Sequence, residues 1–242
     1  MRIPRIFHPG HLQLHSELEL SEGAANHVAR VLRMREQSPL IVFNGEGGEY
    51  QAQIALIEKR RVVVLLNEFG AREVESPLRV TLAQGISRGE RMDYTLQKAV
   101  ELGITTIVPL LTEHCVVELK GDRLEKRLEH WRGVIIGACE QCGRNRLPEL
   151  LPVTTLSAWL AHHGDGTKLL LDHRAEKSIN ALDATSSFTL LIGPEGGLSP
   201  AEQQQAFTTG YLGIRLGPRV LRTETAALVA LSALQARFGD LG

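Results

Sequence analysis

The chain has 242 residues, 43% of them hydrophobic, with 27 basic and 28 acidic side chains and a formal net charge of −1. That length suits one large domain or two small ones with a sizeable core, and no run of about 18 apolar residues is present to cross a membrane. Near-neutral charge counts mildly against a dedicated nucleic-acid binder, and an odd three cysteines count against a disulfide framework and for a reducing, cytoplasmic compartment. Arg2 and Arg5 precede no apolar h-region, so no secretory signal is expected.

Residues 1–72 read as mostly β. Leu12-Gln13-Leu14 and Glu17-Leu18-Glu19-Leu20 alternate apolar and polar, the period of a half-buried strand. Ser21 caps a helix whose apolar stripe is Val28, Val31 and Leu32. Leu40–Phe43 is a short strand, Asn44–Gly48 a turn, Tyr50–Ile57 a second strand and Val62–Leu66 a third. Several short strands with one helix suggest a small barrel. The charged, aperiodic stretch Gly70–Pro77 marks a boundary, giving domains 1–72 and 73–242.

Beyond it, strand and helix alternate. Leu78–Gln84, Ile104–Leu111, Lys168–Leu171, Phe188–Ile192 and Gly213–Leu216 read as strands. Helices are expected over Asp93–Leu102, Asp122–Cys142 and Glu224–Phe238. The alternation predicts an α/β domain with a parallel sheet covered on both faces. The last helix is apolar nearly all round, so it is buried on more than one side. A second subunit could cover the side its own sheet does not, which points to a homodimer.

Two loops at strand ends stand out. The first is Ile192-Gly193-Pro194-Glu195-Gly196-Gly197-Leu198, followed by Ser199-Pro200-Ala201-Glu202, a capping box with proline at the first helical position. Its glycines allow close approach of backbone to a ligand. The second is Leu216-Gly217-Pro218-Arg219-Val220-Leu221-Arg222-Thr223-Glu224-Thr225. Thr223 is a plausible N-cap for the final helix, and Glu224 suits the positive end of its dipole. In open α/β sheets, ligands bind beyond the carboxyl ends of the strands, so adjacent loops of this kind make one pocket. Cys139-x-x-Cys142 closes a helix at its C-terminus, the wrong end for a dipole-activated thiolate, and neither a metal nor a redox role is expected.

These two stretches, with Met1–Arg5, Ser87-Arg88-Gly89-Glu90, Glu101-Leu102-Gly103 and Ala138–Arg146, resemble the RsmE-type uridine-N3 methyltransferases of small-subunit ribosomal RNA, in the SPOUT superfamily. The resemblance covers nearly the whole chain. It implies a PUA-like RNA-binding β-barrel followed by a SPOUT domain with a C-terminal trefoil knot. It also implies S-adenosyl-L-methionine as methyl donor, ribosomal RNA or the assembled small subunit as partner, and a homodimer. On that footing, Leu171, Ile192, Gly193, Pro194, Gly196, Gly197, Leu216, Gly217, Leu221, Thr223 and Thr225 are candidates for cofactor binding. Arg222 is the candidate for stabilising charge on the base. Glu195 and Glu224 are candidates for base or for orienting the arginine, with the two roles not separated. Arg2, Arg5, Arg30, Arg33, Arg88, Arg144 and Arg146 are candidate RNA contacts. A non-catalytic ribosome-assembly factor on the same scaffold is the alternative.

Overall fold

The structure is a computed structural model that describes residues 3–59, 61–115, 121–161 and 166–242. Arg2, a candidate RNA contact, lies outside the described residues. The chain forms two compact units.

The first unit takes Met1–Glu75 and also Cys139–Leu147. It contains β1 (Arg5–Phe7), β2 (Glu17–Glu19), α1 (Glu22–Asn26), β3 (Pro39–Phe43), β4 (Glu49–Ile57) and β5 (Val62–Gly70). The strands form one sheet in the order β1-β3-β4-β5-β2. Only the β1–β3 pair is parallel among them. Ile6, Leu20, Val28, Leu40, Val42, Ile54, Val64 and Leu66 fill its core. The Ser21 hydroxyl accepts from the Ala24 N–H at 3.4 Å and caps α1.

Two expectations in this unit differ from the structure. Leu12-Gln13-Leu14 is not a strand; Leu12 is nonetheless buried, and its carbonyl accepts from the Tyr50 hydroxyl at 3.2 Å. The helix after Ser21 widens into a π turn over His27–Val31. An extra residue per turn shifts the helix face from that point on, so Val28 is buried while Val31 and Leu32 face solvent.

Residues 139–147 belong with the first unit, although the sequence places them with the second. The reason is a buried polar network. Arg144 pairs with Glu75 at 2.5 Å, Arg5 pairs with Glu49 at 2.5 Å, and Arg5 also donates to the Asn145 side chain. Asn145 in turn donates to the Arg72 carbonyl at 2.6 Å. Such a network is stable only when each buried charge is partnered.

The second unit takes Ser76–Ala138 and Pro148–Gly242. Its elements are β6 (Arg79–Gly85), α2 (Glu90–Glu101), β7 (Thr106–Leu111), most of α3 (Asp122–Cys142), β8 (Glu149–Leu150), β9 (Thr154–Thr155), α4 (Leu156–Ala161), β10 (Thr167–Leu171), β11 (Ser187–Ile192), α5 (Pro200–Thr208), β12 (Leu212–Ile214) and α6 (Thr223–Phe238). The strands order as β12-β10-β11-β6-β7-β8, with β9 also on β7. Every pairing is parallel. Phe188 through Ile192 are all buried, as a central strand covered on both faces requires. Helix α2 packs on α6, and α4 on α5. Gly103 ends α2 in the left-handed region at φ 78°. The chain is thus α/β: a small N-terminal sheet and a parallel-sheet domain.

Candidate active site

Strands β10, β11 and β12 are parallel neighbours, so their carboxyl ends open on the same side. Strand β11 runs into the first glycine loop, which the capping box of α5 pins. The Ser199 hydroxyl accepts from the Glu202 N–H at 3.3 Å, and the Glu202 carboxylate accepts from the Ser199 N–H at 2.9 Å. A Cβ on Gly193 would lie 2.9 Å from the backbone of Gly197 and Leu198, so the loop folds onto itself only with glycine there. His114 closes the far side, its Nδ1 2.9 Å from the Gly196 carbonyl.

A cavity of about 540 Å³ lies at these strand tips. Leu171, Ile192, Gly193, Pro194, Gly196, Gly197, Leu216, Leu221 and Thr223 line it, together with Glu195, Arg222 and Glu224. Gly217 and Thr225, also candidates, do not line it. Thr223 is not the N-cap of α6: that position is Arg222, whose side chain makes no capping bond. The Thr223 hydroxyl is turned inward and donates to the Gly193 carbonyl at 2.7 Å.

The charges around the cavity are unequal in freedom. Glu195 accepts from the Arg88 N–H and from the Arg91 guanidinium, each at 3.0 Å. Burial alone would push its carboxyl up, but those donors outweigh burial and hold it below the usual range. At the opposite wall Asp172 is likewise held low, burial being outweighed by Arg174 at 3.1 Å. Glu224 has one carboxylate oxygen buried with no hydrogen-bond partner among the described residues. Arg219 and Arg222 line the cavity, and neither makes an ion pair among the described residues. Sequence reasoning missed Arg91, Asp172, Arg174 and Arg219. Asp172 stands one residue beyond the strand ending at Leu171, so the strand-tip rule alone could have found it.

The basic candidates divide by burial. Arg30, Arg33, Arg88 and Arg146 are exposed. Arg5 and Arg144 are only 7% and 4% exposed, with their guanidinium groups turned onto Glu49 and Glu75. The expectation that these two contact RNA is therefore corrected: a phosphate could reach neither without breaking a buried ion pair. Burial also pushes the Cys139 thiol up to about 12, so it is not a free thiolate nucleophile at neutral pH.

A family described as an RNA methyltransferase domain matches residues 74–235, and an RNA methyltransferase PUA domain matches residues 20–67. These matches define the class, that of an RNA methyltransferase. The chain is 37% identical to ribosomal RNA small subunit methyltransferase E of Buchnera aphidicola, over 99% of this chain and 98% of that one. The Bacillus subtilis protein of the same name is 30% identical over 86% of each. A Neisseria gonorrhoeae structure of that name, bound to S-adenosyl methionine, superposes with a TM-score of 0.93 at 37% identity over the whole of both chains. A Legionella pneumophila structure in complex with the cofactor SAM superposes at 0.97, with 43% identity over both whole chains. This chain belongs to the ribosomal RNA small subunit methyltransferase E family.

Proposed function

We propose that the protein transfers a methyl group from S-adenosyl-L-methionine to N3 of a uridine in small-subunit ribosomal RNA. The observation that carries this is the cavity at the tips of β10, β11 and β12, in a chain of this family. Its volume, about 540 Å³, lies within the range of small-molecule sites. Gly197 stands at φ 70° with open space where a Cβ would be, so backbone can approach a flat purine. Leu171, Ile192, Leu198, Leu216 and Leu221 supply apolar walls. Of the three carboxylates that line the cavity, Asp172 and Glu195 are paired with Arg174 and Arg91, which leaves Glu224 to face a cationic sulfonium. The two SAM-bound structures support the same ligand.

When bound, S-adenosylmethionine supplies a methyl group activated for in-line displacement. The remaining tasks fall to this chain's residues. Uridine N3 carries a proton, and its loss spreads negative charge to O2 and O4. Arg222, with no carboxylate to neutralise it among the described residues, stabilises that charge. Glu195 is occupied by Arg88 and Arg91, which makes it a clamp on the loop. Glu224, which lines the cavity and makes no ion pair among the described residues, takes the role of general base. N3 pairs in a duplex, so the target base must be unpaired or flipped out.

The C-terminal trefoil knot belongs to the same reading and is supported by the family to which the chain belongs. Exposed Arg30, Arg33, Arg88 and Arg146 are the proposed phosphate contacts, and the working form is a homodimer.

The test is Arg222→Ala. Methyl transfer to small subunits should fall about 10²- to 10³-fold, while affinity for S-adenosylmethionine by calorimetry stays at the wild-type value. Wild-type turnover would remove the role. Mass spectrometry of ribosomal RNA with and without the protein identifies the modified base.

A further inference from the structure

Gln84, near the end of β6, is completely buried and reaches two residues that line the pocket, Thr223 and Gly193. Its amide nitrogen donates to the Thr223 hydroxyl at 2.9 Å and to the Gly85 carbonyl at 3.0 Å. The Gly193 carbonyl lies 3.5 Å from the same nitrogen. Its carbonyl oxygen is buried and has no partner among the described residues. Leaving a buried acceptor unmade carries a cost, so the donor end of this side chain has a specific task.

That task is visible in the neighbouring atoms. The Thr223 hydroxyl accepts from Gln84 and donates to the Gly193 carbonyl at 2.7 Å. One hydroxyl therefore joins three elements: β6, the first glycine loop and the first turn of α6. The contact is close-packed, since a Cβ on Gly85 would stand 2.5 Å from the Pro194 nitrogen. Thr223 lies between Arg222 and Glu224 in sequence. The Arg222 side chain makes no capping bond at this end of α6, so the Thr223 linkage is what ties the helix start down.

We propose that Gln84 and Thr223 are positioning residues, a brace that fixes Arg222 and Glu224 relative to the loop that holds the methyl donor. The proposal rests on the reading of the pocket given above. Neither residue touches the reacting atoms. Thr223 lines the cavity, but its hydroxyl is already engaged on both sides, so the cofactor does not need it. A displacement of the order of 1 Å between catalytic groups and donor costs about 10²-fold in rate. Removing the brace should therefore lower kcat and leave donor binding in place.

The experiment uses the full-length protein with Gln84→Leu, Thr223→Val, Thr223→Ser and the double variant Gln84→Leu/Thr223→Val. Kinetics are measured on ribosomal subunits, S-adenosylmethionine affinity by calorimetry, and Tm alongside. Thr223→Val and Gln84→Leu should each lose about 10²-fold in kcat with donor affinity within about threefold of wild type. Thr223→Ser, which keeps the hydroxyl, should recover most of kcat. The double variant should lose no more than the worse single, because both remove the same linkage.

Wild-type kcat in Thr223→Val overturns the brace. So do additive losses in the double variant, or a loss of donor affinity that matches the loss of kcat. A fall in Tm with no recovery in Thr223→Ser reduces both residues to packing and overturns it as well. Failure of the underlying reading gives a different pattern: wild-type protein that binds no S-adenosylmethionine, or Arg222→Ala at full turnover.

Discussion

Gly193 decides the shape of the pocket floor. Its missing Cβ is replaced by backbone of Gly197 and Leu198 at 2.9 Å, and backbone cannot rotate aside. Gly193→Ala should open the loop, weaken S-adenosylmethionine binding at least tenfold and lower Tm. At Gly197 the space is open but φ is 70°, a conformation that costs an L-residue about 1–2 kcal/mol. Gly197→Ala should therefore weaken binding less. Calorimetry on both variants separates steric exclusion from backbone strain, and equal losses would count against the steric argument. Glu195 makes a further point. Its carboxyl is held below the ordinary value of 4.5, so its contribution to stability is complete above that value. That contribution is lost only as pH falls through the lower, folded value. A limb in the activity profile between about pH 6 and 9 must come from another group. Glu195→Gln should lower activity by loosening the clamp on Arg91 yet keep the shape of the kcat/KM profile. A displaced limb would return the base role to Glu195.

At the scale of elements, the strongest local signals are legible in the sequence. Asp122–Cys142 is a helix with the expected bounds, because a long apolar period and a terminal glycine leave little ambiguity. The Ser199–Glu202 capping box forms as its spacing requires. Short strands are invisible there: β1, β8 and β9 have three, two and two residues, too few to show a period. The π turn is equally hidden, since nothing in His27–Val31 departs from helical composition. In the site, the glycine loops can be read because they lie at strand ends. The partners of Glu195 cannot, because Arg88 and Arg91 reach it from 107 and 104 residues away. Arg144 and Arg146 show the same limit. Side by side in a basic cluster, they look alike; folded, one side chain is 5% exposed and the other 57%. Removing Arg144 leaves the partly buried Glu75, 20% exposed in its side chain, without this partner, so Arg144→Ala should cost about 1–3 kcal/mol in urea unfolding. Arg146, 3.7 Å from Glu73 at the surface, should cost less than about 1 kcal/mol as alanine. If Arg146 is a phosphate contact, Arg146→Ala should also reduce the salt dependence of RNA binding.

For the whole molecule, the proposed homodimer turns on α6. Ala227, Ala230, Leu231 and Leu234 of this helix are buried within the subunit. Ala226, Val229, Ala233 and Ala236 recur at helical spacing on another face and stay wholly or partly exposed, Val229 at 40%. A helix surface of small apolar residues permits close approach of a second helix, and a monomer gains nothing by presenting it to water. A stable dimer buries roughly 1,200–2,000 Å² in total, so the proposed interface takes in residues beyond this stripe. Val229→Glu places a charge at the centre of the stripe without touching the buried face. Sedimentation should show the wild-type protein as a dimer and the variant as a monomer with an unchanged far-UV spectrum. Because α6 begins at Arg222 and Thr223, loss of the dimer should also loosen the start of the helix and reduce methyl transfer. A variant that remains dimeric would place the interface elsewhere, and a wild-type monomer would leave the apolar stripe of α6 without a role in assembly.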